Sequence, residues 1–199
     1  MPWSDDARLL VHPFRAYADL AAAEDASPGR TAVRRALFFL FGVGAFVSLT
    51  AAGRLVAFHV FSTMAFWSFV PLVQAAVFVV VLRLVRAPRR PPAHGLDLYF
   101  AGHGPWLMFF MLIAGVCLLA PDVYAAMTWL LRSYVLPGLM LATIAWSGVL
   151  TYACFRAGLG LPRRRAEVAT ALFYLGFSSV IVGYYLAMNE IQPQLPWAQ

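Results

Sequence analysis

Residues 55–82 read LVAFHVFSTMAFWSFVPLVQAAVFVVVL, a run of 28 positions with no charged side chain. A helix needs about 20 apolar residues to cross the hydrocarbon core of a bilayer, so this run is long enough to span it. Backbone groups inside lipid have no water to bond, and the run lacks the alternation of a membrane barrel strand. The stretch predicts a transmembrane helix near residues 63–83, with residues 55–62 as an apolar turn at the interface.

Four more uncharged runs of spanning length follow the same logic, and they cover residues 36–53, 98–121, 133–155 and 168–189. The chain is 62% hydrophobic and 12% charged with a mean hydropathy of +0.73, which excludes an ordinary water-soluble domain. We predict an all-α polytopic membrane bundle with five transmembrane helices. Its expected parts are a cytoplasmic amphipathic segment and linker (1–35), the five-helix domain (36–189) and a short non-cytoplasmic tail (190–199).

The arginines predict the orientation of this bundle. All 15 basic residues are Arg, and 13 of them fall on one predicted side of the membrane. Because short cytoplasmic segments are enriched in Arg and Lys, that side is expected to be cytoplasmic. The N-terminus is then expected to be cytoplasmic, and an odd number of spans places the C-terminus on the opposite side. The all-Arg composition suits a GC-rich bacterial genome, so we expect the bacterial inner membrane, where that opposite side is the periplasm.

Two basic clusters stand out on the predicted inner face. One interpretation is that these clusters bind anionic lipid head groups, and the alternative is that they only set the topology. The inner loops are too short for a nucleic-acid-binding module, so no nucleic acid is expected as a partner. The candidate lipid contacts are Arg83, Arg86, Arg89, Arg90, Arg163, Arg164 and Arg165.

The segment before the first span is predicted to be helical in two pieces over residues 4–23, the second led by Pro13. Leu10, Phe14, Tyr17 and Ala21 recur at helical spacing and form an apolar stripe. We expect this helix to lie on the inner membrane surface or to pack under the bundle, the alternative being a docking site for a soluble partner. Residues 23–31 are predicted to be a linker.

His103 is the ionisable side chain placed deepest within a run, six residues past Asp97, which is expected to mark a helix end. Its neighbours Gly102, Gly104 and Pro105 loosen the helix, as in transporter helices that build a site. Gln74 is expected to lie in the bilayer and to bond another helix. His103 and Gln74 therefore form a candidate polar site, while a purely structural hydrogen bond is the alternative.

Small and polar residues recur at four-residue spacing in two spans. They are Gly44, Ser48 and Ala52 in the first and Thr143, Ser147 and Thr151 in the fourth. Such stripes favour close helix packing over a substrate path. No nucleophile with a base, phosphate loop or metal-ligand spacing is present in the sequence, so we expect no enzyme, no catalytic residue, no metal and no cofactor.

Several features recur in one order along the chain. They are the Pro-led helix with Tyr17, five spans with an expected cytoplasmic N-terminus, Trp146 in the fourth span, and a Gly-rich basic turn from Gly158 to Ala166. In this layout the chain resembles, over roughly residues 8–188, the Yip family of Rab-associated membrane proteins and their bacterial relatives. The resemblance implies a non-enzymatic scaffold for membrane organisation or trafficking that acts through protein or lipid partners.

Two other functions fit the sequence. A small transporter or permease would use a polar site around His103, and an accessory subunit of a larger complex would use the basic loops. Beside the lipid bilayer, the expected partners are membrane proteins or further copies of the chain.

Overall fold

The computed structural model describes residues 3–23, 27–87, 91–119 and 131–191. Within these ranges the backbone is almost wholly helical and forms no strand, which confirms the all-α prediction. Two π-helical turns lie at Leu131–Val135 and Cys154–Gly158. The helices are α1 (Trp3–Val11), α2 (Pro13–Ala22), α3 (Pro28–Ala52), α4 (Ala57–Trp67), α5 (Phe69–Leu84), α6 (Pro92–Ala101), α7 (Gly104–Leu119), α8 (Leu136–Ala153) and α9 (Arg163–Ile191).

Five helical segments are long and apolar enough to cross a membrane, and we number them as spans in chain order. The protein is therefore an integral membrane protein with a five-helix bundle. The first, third and fifth spans begin at one end of the bundle, called the Arg-rich end below. The spans are Pro28–Ala52, Ala57–Leu84, Pro92–Leu119, Ser133–Gly158 and Arg163–Tyr184.

The second span begins earlier than predicted, so the prediction of an interfacial turn at residues 55–62 is wrong. Gly53 ends α3 with a left-handed φ of 65°. The buried Ser48 hydroxyl donates to the Arg54 carbonyl at 3.0 Å and accepts from the Val56 amide at 2.9 Å. These bonds complete the turn within residues 53–56, so the helix restarts at Ala57.

Three other spans also start earlier than the charges suggest, and the fifth span is one of them, since it starts at Arg163 rather than at residue 168. The first starts at Pro28, inside the predicted linker, and the third starts at Pro92 rather than at residue 98. Proline fits the first turn of a helix because backbone amides in that turn have no carbonyl partner within the helix, so the missing N–H of proline costs no hydrogen bond. The predicted break in the third span is confirmed, since α6 ends at Ala101 and α7 begins at Gly104.

The five spans close into a ring. The first packs against the second through α4 and against the third through α6 and α7, and α7 packs against α8 of the fourth. The fifth span, in α9, contacts α8 on one side and α5 of the second span on the other. Around the ring the order is therefore first, third, fourth, fifth, second, with all five helices facing a common centre.

The two N-terminal helices cover the Arg-rich end of this ring. Helix α2 packs against α6, α8 and the turn Cys154–Gly158, while α1 contacts α7. Leu9 and Tyr17 are each only 1% exposed. Of the two placements expected for this amphipathic segment, the structure shows the one in which it packs under the bundle.

A cluster of aromatic rings fills the Arg-rich half of the bundle. Phe78 and Phe155 are fully buried and stack with ring centroids 5.2 Å apart. Tyr99 lies 5.0 Å from both Phe78 and Phe173, so four elements meet at this cluster. Such packing fixes the helices at this end, because large rings bury much surface and interdigitate.

Candidate functional site

The ring of spans surrounds a cavity of about 310 Å³. All five spans and Tyr17 of α2 contribute to its wall, and ten of its 19 described lining residues are Phe, Tyr or Trp. None of these described lining residues is charged. This volume is within the range of small-molecule sites, which are typically apolar with a few placed polar groups.

The two residues of the predicted polar site meet on the cavity wall. Nε2 of His103 lies 3.0 Å from Oε1 of Gln74, and the two residues are 6% and 8% exposed. With the amide oxygen accepting, Nε2 carries the proton and the Gln74 N–H groups remain available to another acceptor. The pair joins the second and third spans, so the expected bond from Gln74 to another helix is confirmed.

Aromatic rings hold the His103 side chain in place. Its ring centroid lies 4.8 Å from that of Phe39, 5.2 Å from Tyr99 and 5.3 Å from Phe100. Its Nδ1 atom is buried and makes no hydrogen bond with the described part of the chain. The break after Ala101 places His103 between α6 and α7, where it can face the ring centre.

The polar stripe of the fourth span also faces the cavity, although the sequence favoured a packing role. Ser147 lines the cavity, and no hydrogen-bond partner for its buried hydroxyl exists among the described residues. Thr151 lines it too, with its hydroxyl 3.3 Å from that of Tyr174 in the fifth span. Thr143 bonds back to the Leu139 carbonyl at 2.8 Å. Two of the three stripe residues thus add polar groups to the wall.

Tyr17 closes the cavity at the Arg-rich end. Its phenol abuts Gly102, where a β-carbon would collide with the hydroxyl, and its ring lies 3.6 Å from the β-carbon position of Gly158. Burial raises the pKa of the Tyr17 phenol well above its ordinary value. The Tyr17 phenol is therefore neutral while α2 is docked against the bundle. The apolar stripe of the sequence contained Tyr17 but gave no reason to place it on a cavity.

An ion pair that the sequence analysis missed lies at the same end. Nε of Arg35 is 3.2 Å from Oδ1 of Asp97, and Nη1 donates to the Asp97 carbonyl at 3.4 Å. The two side chains are 23% and 11% exposed. Asp97 was expected at a helix end, but it lies inside the third span. An uncharged run ends at the first charged residue, so runs of this kind cannot contain Arg35 or Asp97 even where these residues lie within a span.

The predicted lipid-contacting arginines separate into groups. Arg86, Arg164 and Arg165 meet at a groove on the outside of the Arg-rich end, and Arg83 is not among its lining residues. Nε of Arg163 binds Oε1 of the Glu167 carboxylate at 2.9 Å. The predictions for Arg89 and Arg90 lie outside the described residues.

Within the described ranges, no group of three His, Cys, Asp or Glu side chains could hold a metal ion. Comparison with protein-family models, with curated proteins and with solved structures finds no significant match. The function must therefore be argued from the site itself.

Proposed function

We propose that this chain is a small membrane carrier that binds a neutral, mostly apolar molecule bearing one hydrogen-bonding group. The observation that carries this proposal is the cavity at the centre of the ring, with the Gln74–His103 pair on its wall. Of the functions considered from the sequence, this one corresponds to the small transporter or permease.

The lining chemistry selects the ligand class. An ion in this cavity would lose its water shell without gaining a charged partner among the described lining residues, which is costly in a low-dielectric site. Aromatic walls bind flat apolar groups by offset or edge contacts. The free N–H groups of Gln74 and the hydroxyl of Ser147 can bond one polar group on such a molecule.

Binding can be followed through Trp67 and Trp106, which both line the cavity. We expect 1-naphthol to quench tryptophan emission of the purified protein in detergent with a saturable component. The anion 1-naphthalenesulfonate has the same ring system but carries a charge, so it should neither produce that component nor compete for it.

Two variants test whether the saturable component comes from the cavity. Ser147→Phe places a ring in the cavity and should remove the component. Ala145→Phe adds the same ring on the exposed side of the same helix and should leave it unchanged. Equal quenching in both variants, or equal binding of the sulfonate, would contradict the proposal.

Carriage is tested separately in proteoliposomes. Entry of 1-naphthol into vesicles, followed against a protein-free control, should fall when His103 is replaced by Ala.

We place the protein in a bacterial inner membrane with the N-terminus cytoplasmic, since 13 of the 15 arginines lie on that side of the proposed topology. Labelling of single cysteines introduced near each terminus of the cell-embedded protein tests this orientation.

A Yip-like, non-enzymatic scaffold is a second candidate, either alone or as an accessory subunit. It is favoured by the five-span layout and by the Pro-led helix α2, which is docked at the Arg-rich end. Under this proposal, deletion of residues 1–30 should abolish recovery of protein partners from native membranes. Unchanged recovery would count against it.

A further inference from the structure

A second concave site lies outside the ring, between the last turns of α5 and the first turns of α9. Its volume is about 320 Å³, and it shares no lining residue with the central cavity. Its seven described lining residues are of only two kinds, aliphatic and basic. They are Leu84, Val85, Val168 and Leu172, together with Arg86, Arg164 and Arg165.

The arrangement of these residues separates this groove from an ordinary basic loop. The three arginines come from two separate elements, the turn after α5 and the first turn of α9, and all three are exposed. Glu167, the acidic side chain of the same helical turn, binds Arg163 instead of a groove arginine. The groove thus joins three guanidinium groups to an aliphatic floor at the end of the membrane-spanning region.

The backbone at Arg86 adds an independent observation. Its φ is 51°, and it is the one non-glycine residue with a positive φ in the described part of the chain. A side chain in this conformation costs about 1–2 kcal/mol, and such strain is concentrated at functional sites. Here the turn after α5 carries the Arg86 side chain to the groove next to the start of α9.

We propose that this groove binds an anionic glycerophospholipid of the leaflet at the Arg-rich end. The phosphate lies among Arg86, Arg164 and Arg165, where guanidinium groups can bind it through paired N–H donors. One acyl chain lies on the floor formed by Leu84, Val168 and Leu172. A free phosphate would leave this floor exposed. A lipid molecule covers the floor with its acyl chain and binds the three arginines through its phosphate.

The test is a lipid titration followed by native mass spectrometry of the full chain in detergent. We expect saturable binding of dioleoyl phosphatidylglycerol and much weaker binding of dioleoyl phosphatidylcholine, which has the same chains and a zwitterionic head. Replacing Arg86, Arg164 and Arg165 together by Gln should weaken phosphatidylglycerol binding on the order of a hundredfold at low salt, because each arginine near an anionic surface contributes several-fold.

A matched control keeps this test specific. Arg8, Arg15 and Arg30 are exposed arginines of the N-terminal region outside the groove, and their replacement by Gln removes the same total charge. This control should bind phosphatidylglycerol within about twofold of the wild-type protein. Equal losses in both triple variants would overturn the proposal, since binding would then follow net charge alone.

A second variant addresses the acyl chain and preserves every charge. Val168→Trp fills the groove floor at a side chain that is 52% exposed, so it can be accommodated without repacking the core. It should reduce phosphatidylglycerol binding at least tenfold. Wild-type binding by this variant, or full displacement of the lipid by millimolar inorganic phosphate, would show that only a phosphate is held and would overturn the lipid assignment.

Discussion

The bond between His103 and Gln74 gives the sharpest stability prediction. Its 3.0 Å length, the near-complete burial of both residues and the apolar surroundings mean that either single substitution leaves a buried polar atom without its partner. Such an orphaned group costs about 1–3 kcal/mol. We therefore expect Gln74→Leu and His103→Phe each to lower the free energy of unfolding by about 1–2 kcal/mol.

The double variant removes both polar groups and should lose less than the sum of the two single losses. Hydrogen bonds between membrane helices contribute about 0.6 kcal/mol on average and reach about 1.7 kcal/mol. For so buried a pair we expect a coupling energy of about 1 kcal/mol. The measurement is reversible unfolding in mixed micelles of increasing SDS content, followed by tryptophan fluorescence.

Ser147→Ala is the matched control for this cycle. It removes a buried hydroxyl that has no partner among the described residues, so stability should stay unchanged or rise. If the stability losses of the Gln74 and His103 substitutions simply add, with a coupling energy below about 0.3 kcal/mol, the reasoning is refuted. The cycle also separates stability from binding, because the double variant should be about 1 kcal/mol more stable than additive losses predict and yet show no saturable naphthol component.

Three further predictions concern the framework around the cavity. Gly44→Ala should destabilise the bundle by about 1–3 kcal/mol in the same SDS titration, because the new β-carbon would lie 2.7 Å from the Val60 carbonyl oxygen; wild-type stability would show that these spans can separate freely. Removing one partner of the partly buried ion pair, by Arg35→Gln or Asp97→Asn, should cost more than removing both, because a single change leaves an uncompensated charge; equal costs would contradict a direct pairing. Because burial raises the pKa of Tyr17, the undocked phenol ionises first, at a pKa of about 10, so docking of α2 should weaken as pH rises above that value. A spin label on the exposed face of α2 should then become more mobile in the wild-type protein but not in Tyr17→Phe, and an identical pH response in both would refute this cause.

The helices and their number follow from the sequence because lipid leaves the backbone few choices. Five uncharged runs predict five spans, and the structure has them. The boundaries were less predictable, because Arg35 and Asp97 neutralise each other across two helices and so can lie within spans. A single sequence carries no signal for which two charges will pair.

The candidate site was only partly predictable for a similar reason. Gly and Pro around His103 marked a break in the helix, and Gln74 was recognisable as a buried amide, so both residues could be proposed. Their contact, and the aromatic wall around them, depend on the order of the spans around the ring. That order results from helix packing between segments far apart in the chain, which hydropathy does not encode.

The two ends of the cavity differ, and this difference bears on how a ligand would enter. At the Arg-rich end, the buried Tyr17 and the rings around Phe78 close the bundle together with the partly buried Arg35–Asp97 pair. Toward the other end the lining includes Met140, whose side chain is 43% exposed. Local opening is easiest where few buried contacts must break. An apolar ligand should therefore enter from the opposite end or from the lipid beside it, and release at the Arg-rich end would require α2 to undock.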